Sequence, residues 1–308
     1  MKNNSEPPYG GFHFNAGAGI MNKFLENYKL RFFLLMALFG CMGPIVRAIN
    51  LPTMIIACLR AWISALFLII FMLLFRRSML NSENKKVILP MIICGIFMAG
   101  DWIGLFQAYK YTTIATATVC YYTSPIIIFI ASPVLFKEKF SSRHIICAIT
   151  ALLGMFLVSG MVENGIPTIA EIKGVLFALL GAVCYAGVTL MNKKLPNGDT
   201  LFRTAVQLAA TAVLLTPYMI SNTASQSIDI SAKTAVLLLI LGIIFTALPY
   251  IRYMDFIQRI PARTISFFSY ADPVVAVLIS VLILKEPLSI TGLIGSVLIL
   301  ISAAVSEI

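Results

Sequence analysis

Along this chain apolar residues gather in runs of about 20, separated by short stretches that hold most of the Lys, Arg, Asn and Gly. They do not alternate with polar residues at a strand or surface-helix period. A run of about 20 apolar residues, wound as a helix, crosses the ~30 Å hydrocarbon core of a bilayer. That requirement predicts helices near 30–50, 52–75, 87–109, 113–136, 143–161, 172–192, 200–220, 234–254, 264–284 and 288–305. Connections at Leu51-Pro52, Tyr111-Thr112 and Lys285-Glu286-Pro287 are too short for anything but antiparallel neighbours. The pattern therefore predicts an all-α membrane protein with five helices in 30–161 and five in 172–305. Residues 1–29, with Pro7-Pro8 and Gly10-Gly11, are expected to form a disordered cytoplasmic tail. The first apolar run is long and has no small-residue cleavage site, so it reads as a span rather than a signal peptide.

Composition agrees. The 308 residues are 59% hydrophobic and 12% charged, more apolar side chain than a soluble core hides. A net charge of +10 raises the question of nucleic acid, but the basic residues lie in clusters between apolar runs instead of along one face, so no nucleic-acid role is expected. They read as a topology signal. With the amino terminus inside, Lys2, Lys23, Lys29, Arg31, Arg76, Arg77, Lys85, Lys86, Lys137, Lys139, Arg143, Lys193, Lys194, Arg203, Arg259 and Arg263 share one face. Only Lys110, Lys173, Lys233 and Lys285 occupy the other. The positive-inside rule then places both termini in the cytoplasm of a cell-membrane protein. All six cysteines sit in apolar segments without a CxxC pair, and His13 and His144 are too few and too distant for a metal site, so no metal or cofactor is expected.

Shifting the sequence by 148 residues pairs YYTSPIIIFIASPVLFKEKFS (121–141) with SYADPVVAVLISVLILKEPLS (269–289) without a gap. Pro125 meets Pro273, and Lys137-Glu138 meets Lys285-Glu286. Thr118, Tyr122, Pro125 and Ser132 match Ser266, Tyr270, Pro273 and Ser280, a stripe along one face of each helix. Because each half has an odd number of helices, the second enters the membrane from the opposite side, and the repeat is inverted. Inverted repeats let one midplane site open alternately to either face.

Several segments carry a resemblance: LMALFGCMGPIVRAI (35–49), the arginine of CLRAWISALFLII (58–70), GLFQAYKYTTIATATVCYYTSPI (104–126) with FKEKFS, and MDFIQRIPARTISFFSYADPVVAVL (254–278) with LKEPLS. Over about residues 30 to 305 the chain resembles EamA-type members of the drug/metabolite transporter superfamily. The resemblance implies the drug/metabolite transporter fold of ten helices in two inverted repeats. It also implies a central cavity bounded by both halves and movement of small organic solutes, often outward. Where the second repeat of that family usually has an uncharged residue before the proline, this chain has Asp272.

Charged groups inside a span are costly, roughly 2.5 to 3.5 kcal/mol each on insertion scales, and need a partner or a watery cavity. Arg60 lies about eight residues, or ~12 Å, from the outer end of the second helix. Asp101 in the third helix, and Tyr121 and Tyr122 in the fourth, share its depth. An Arg60–Asp101 pair could fix the packing of helices two and three, helped by Gly100-x-x-x-Gly104, or it could line the cavity and hold a carboxylate and an amine or proton. Asp272, beside the Pro273 break and without a basic residue at its depth in the ninth helix, is a candidate proton or cation site. Trp102 and Tyr122 are deep enough to touch a ligand, although packing is the commoner role of such rings. The candidate substrate-binding set is thus Arg60, Asp101, Trp102, Tyr121, Tyr122, Ser124, Tyr270 and Asp272, with Asp101 and Asp272 as coupling candidates and Pro125 and Pro273 as helix breaks.

The expected function is secondary transport of a small zwitterionic or amino-acid-like metabolite, driven by proton coupling, exchange or facilitated diffusion. A channel or a non-transporting scaffold is the alternative. An intramembrane enzyme is remote: Met98 and Ala271 break the GxGD and YD patterns of an intramembrane aspartyl protease, and HExxH, GxSxG and phosphate-loop motifs do not occur. Nothing in the chain singles out an oligomeric state.

Overall fold

The computed structural model of the chain describes residues 17–75, 85–158, 162, 169–196, 198–223, 230–285 and 289–307. Among these residues the structure is helical, and the helices form ten spans. Eight are long and apolar enough to cross a membrane, and the shorter apolar helices Ser142–Val158 and Ile290–Ser306 complete the set as the fifth and tenth. The second, third, sixth and seventh spans are single helices, Thr53–Phe75, Ile88–Tyr111, Ile172–Lys194 and Thr200–Thr223.

The other four spans are broken, and each break has a proline at the start of the following segment. A proline gives no N–H to the carbonyl four residues earlier. Pro44 leaves Gly40 so, and the first span divides into Gly17–Gly40 and Gly43–Ala48. Pro125 and Pro273 do the same to Tyr121 and Ser269, dividing the fourth span into Ile114–Tyr121 and Ser124–Phe136 and the ninth into Ala262–Ser269 and Ala271–Leu284. In the eighth, Pro249 leaves Phe245 without its donor inside a π turn, Ile243–Ala247, between helices Ala232–Gly242 and Leu248–Arg259. Single π turns of this kind often mark functional positions.

Two differences from expectation concern the ends. The first helix starts at Gly17, so residues 17–29 are helical rather than part of a disordered tail. Between Met21 and Lys29 the sequence holds no Gly or Pro, and nothing interrupts continuation of the helix. The expected disorder of residues 1–16, and the Glu286-Pro287 part of the last hairpin, lie outside the described residues. The eighth span runs on to Arg259, where Asp255 and Arg259 form an i,i+4 ion pair at 2.7 Å.

The packing carries the repeat. Exchanging each span for the one five positions away turns the main interfaces into one another. The third packs on the seventh as the eighth does on the second, whereas the third meets the sixth far more extensively than the eighth meets the first. The first meets the ninth as the sixth meets the fourth. Second with seventh, fourth with ninth and fifth with tenth are paired on the axis itself. This is the arrangement of two five-helix repeats, inverted because five is odd.

Glycines set the tightest crossings. A Cβ at Gly104 would meet the Gly181 backbone nitrogen at 2.7 Å, and one at Gly154 the Gly295 carbonyl oxygen at 2.7 Å. Gly100-x-x-x-Gly104 therefore serves the third and sixth spans, not the second and third: a Cβ at Gly100 would meet Cys184 Sγ at 2.9 Å.

One end of the bundle is tied across the two halves. Lys29 of the first span pairs with Glu307 after the tenth, and Glu307 accepts a hydrogen bond from Thr264 of the ninth at 2.6 Å. The Glu138 carboxylate, following Lys137 at φ 56°, accepts from the backbone N–H groups of Ala262 and Arg263 at 2.7 and 3.1 Å, capping the ninth span. Lys193 donates to the carbonyls of Ile257 and Ile260, and Gln258 to that of Asn192, joining the sixth span to the eighth. Among the described residues the counterpart contact by repeat symmetry, first span with third, is at most slight.

Candidate functional site

A cavity of about 210 Å³ lies between the halves, walled by the first four spans and by the sixth, eighth and ninth. It is below the ~300–1,000 Å³ range typical of drug-sized sites, so it suits a single small metabolite. Its apolar wall is Met36, Phe39 and Met42 on the first span and Met98, Leu105 and Phe106 on the third. Its polar wall is Arg60, Asp101, Trp102, Tyr121, Tyr122 and Asp272, joined by Tyr185, Tyr250 and Tyr253.

Arg60 is positioned by the second span and held by an aromatic face. Its guanidinium carbon sits 3.8 Å from the centroid of the Trp102 ring, a cation–π arrangement that stabilises a desolvated arginine by roughly 2 kcal/mol. Nη1 lies 3.9 Å from Met42 Sδ. The expected ion pair with Asp101 is not formed, because the planar guanidinium lies against the indole next to that aspartate instead of facing its carboxylate. Two buried atoms, Arg60 Nε and Asp101 Oδ1, consequently have no hydrogen-bond partner within the protein. Buried polar atoms are nearly always satisfied, and those that are not point to a ligand, water or strain. Both residues line the cavity.

On the same wall, Tyr122 donates its hydroxyl proton to Asp272 Oδ2 at 2.9 Å. The tyrosine belongs to the break of the fourth span and the aspartate to the break of the ninth, so this bond joins the two repeats at their equivalent irregular points. Tyr270 donates to the Tyr122 carbonyl at 3.0 Å, and Ser266 to that of Pro125 at 2.6 Å, using carbonyls around the break. Gly40 allows the first span to approach: a Cβ there would meet the Asp272 carbonyl oxygen at 2.5 Å.

Of the eight candidate binding residues, the fold brings Arg60, Asp101, Trp102, Tyr121, Tyr122 and Asp272 onto one wall. Ser124 and Tyr270 are not on it. Both are 1% exposed and stand behind the wall, Tyr270 with its hydroxyl bonded to Tyr122 backbone. Sequence reasoning did not single out Met36, Phe39, Met42 and Met98, nor the role of Tyr185 and Tyr253. Tyr253 shares a 2.7 Å hydrogen bond with Thr189 and donates to Tyr185 at 3.3 Å, making a phenol chain at the tied end of the cavity. The break at Gly43-Pro44, next to Met42, and Pro249, next to Tyr250, were the available signals. Also missed was a reciprocal amide pair, Asn192 with Gln207 at 2.7 and 3.1 Å, which locks the sixth span to the seventh.

Proteins similar in sequence and in fold bear on the identity of the chain. The chain is 25% identical over 246 residues to the uncharacterized transporter YxxF of Bacillus subtilis strain 168, covering 79% of this chain and 78% of that one. It is 25% identical over 249 residues to an uncharacterized transporter of Archaeoglobus fulgidus, covering 80% and 85%. It is also 29% identical over 206 residues to the uncharacterized transporter YwfM of Bacillus subtilis, covering 65% and 67%. A crystal structure of a protein with 23% identity superposes with a TM-score of 0.79 over 91% of this chain and 96% of its own, which is a likeness of fold. The model of the EamA-like transporter family matches residues 29–160 and again 172–307. With one match to each five-helix half, the chain belongs to the EamA-like transporter family.

Proposed function

We propose that the protein is a secondary carrier of a small zwitterionic, amino-acid-like metabolite across the cell membrane, with both termini cytoplasmic. The observation that carries this reading is the pairing, in one cavity between inverted repeats, of an unfulfilled Arg60 Nε with two carboxylates, Asp101 and Asp272. A guanidinium edge suits a carboxylate, and the carboxylates suit an ammonium group. The methionine and phenylalanine wall of the first and third spans takes the apolar remainder.

The asymmetry between the halves supports alternating access. The sixth and eighth spans are latched at the end that carries Lys29 and Glu307, while among the described residues their counterparts, the first and third, pack on each other at most slightly. In this reading the cavity faces outward, and exchanging the two arrangements turns it inward. Asp272, bonded to Tyr122 across the repeats, is the proton-coupling group. Export is the direction that the resemblance implies.

A ligand screen on purified protein tests the substrate class, because a binder of the native state raises the melting temperature by mass action. Amino acids with free amino and carboxyl groups should stabilise, and their amides or N-acetyl derivatives should not. A screen in which neither class shifts the transition contradicts the zwitterion reading.

A further inference from the structure

A second concave site lies outside the cavity, in the groove between the first and eighth spans near the end that carries Lys29 and Glu307. Its walls are Tyr28, Arg31, Arg252 and Asp255 toward that end and Leu34, Leu35 and Leu38 further in. Arg31 and Arg252 are both exposed, as is Leu34 at 57%. Neither arginine has an ion-pair partner among the described residues. Among the described residues the carboxylate in the groove is Asp255, and it is occupied by Arg259 at 2.7 Å, so its charge is already matched. Among the described residues the groove therefore carries an unneutralised positive charge.

Arg252 lies seven residues, about 10 Å, from the end of its helix at Arg259 and is exposed rather than packed into the bundle. An exposed arginine beside an apolar groove is placed to take an anionic headgroup from the lipid side. Leu38 is likewise about 10 Å beyond Arg31 along the first span, which gives the groove a basic end and an apolar floor in line. The register is fixed by ring contacts between the same two spans, Tyr28 with Phe256 and Phe32 with Tyr253, each at 5.9 Å.

We infer that this groove binds one anionic glycerophospholipid, its phosphate between Arg31 and Arg252 and an acyl chain along Leu34, Leu35 and Leu38. Basic grooves between spans near the membrane surface are suited to such headgroups. The site does not depend on what the cavity carries.

The test uses the full-length protein in detergent, with its melting temperature followed against added phosphatidylglycerol, phosphatidylcholine or glycerol 3-phosphate. Half-maximal stabilisation should need about tenfold less phosphatidylglycerol than phosphatidylcholine, and the double variant Arg31→Gln/Arg252→Gln should lose that preference. Glycerol 3-phosphate should have little effect. Equal response to both lipids, or a preference kept by the double variant, overturns the proposal; an equal response to glycerol 3-phosphate identifies a site for soluble phosphate instead. Should the double variant not fold, a Leu34→Trp variant decides. Its added fluorescence should be quenched more by brominated phosphatidylglycerol than by the phosphatidylcholine analogue, and equal quenching counts against the site.

Discussion

The hydroxyl of Tyr122 donates to Asp272 Oδ2 at 2.9 Å, joining the broken helix of one repeat to the broken helix of the other. Under the 148-residue offset Tyr122 corresponds to Tyr270 and Asp272 to Ser124, so a symmetric molecule would hold a second bond between Tyr270 and Ser124. Tyr270 instead donates to the Tyr122 backbone. At this point the repeats are alike in fold and unlike in charge.

If Asp272 couples transport to protons, Asp272→Asn should abolish flux driven by an imposed pH gradient while sparing exchange. Tyr122→Phe removes one hydrogen bond to a charged group, worth roughly 1.5 to 3 kcal/mol, and should lower gradient-driven flux about tenfold without removing it. Proteoliposome uptake with and without a pH step measures both. An Asp272→Asn variant with a full response to the gradient would show that coupling lies elsewhere.

Arg60 and Trp102 should act as a unit. Arg60→Lys keeps the charge but loses the flat stacking face and the second donor edge, so KM should rise about tenfold or more. Trp102→Phe, which retains a weaker aromatic face, should cost less than Trp102→Leu. Equal KM values for the two Trp102 variants would mean that the stacking contributes nothing to binding.

The glycine crossings make a sharp contrast. Gly104→Ala drives a methyl group against the Gly181 backbone and should cost roughly 1 to 3 kcal/mol, seen as a lower melting temperature. Gly43→Ala meets nothing within 4 Å and should leave it unchanged.

How much of this was legible in the chain depends on what hydropathy can report. Length and apolarity mark the spans because the bilayer sets both, and the Pro125/Pro273 pairing marks the repeat because a proline break constrains backbone and sequence together. Which helices touch is another matter. In a membrane helix the lipid-facing and core-facing sides are both apolar, so Gly100-x-x-x-Gly104 announces a close crossing without naming the sixth span as its partner. Shared depth likewise suggested an ion pair between Arg60 and Asp101, but depth says nothing about azimuth, and the guanidinium lies on Trp102. The methionine wall was silent for the same reason: Met36 and Met98 read as ordinary lipid-compatible residues until packing turns them inward.

The latch between the sixth and eighth spans predicts a shift in which face of the membrane sees the cavity. Lys193→Ala removes two charge-assisted hydrogen bonds, enough to move a two-state balance about tenfold or more toward the inward arrangement. With the native cysteines replaced, a cysteine at Val188 on the cavity wall should then label faster with an impermeant thiol reagent from the face carrying Lys29 and Glu307. Unchanged labelling would mean that these bonds hold shape without governing access.

The central claim is that one cavity between the repeats carries a zwitterionic solute alternately to both faces. Counterflow in proteoliposomes tests it most directly: vesicles preloaded with an unlabelled amino acid and diluted into a trace of the labelled one should accumulate label transiently above equilibrium, saturably, with Arg60→Lys requiring more substrate. Flat uptake across the amino-acid panel, or a conductance that never saturates, would contradict it.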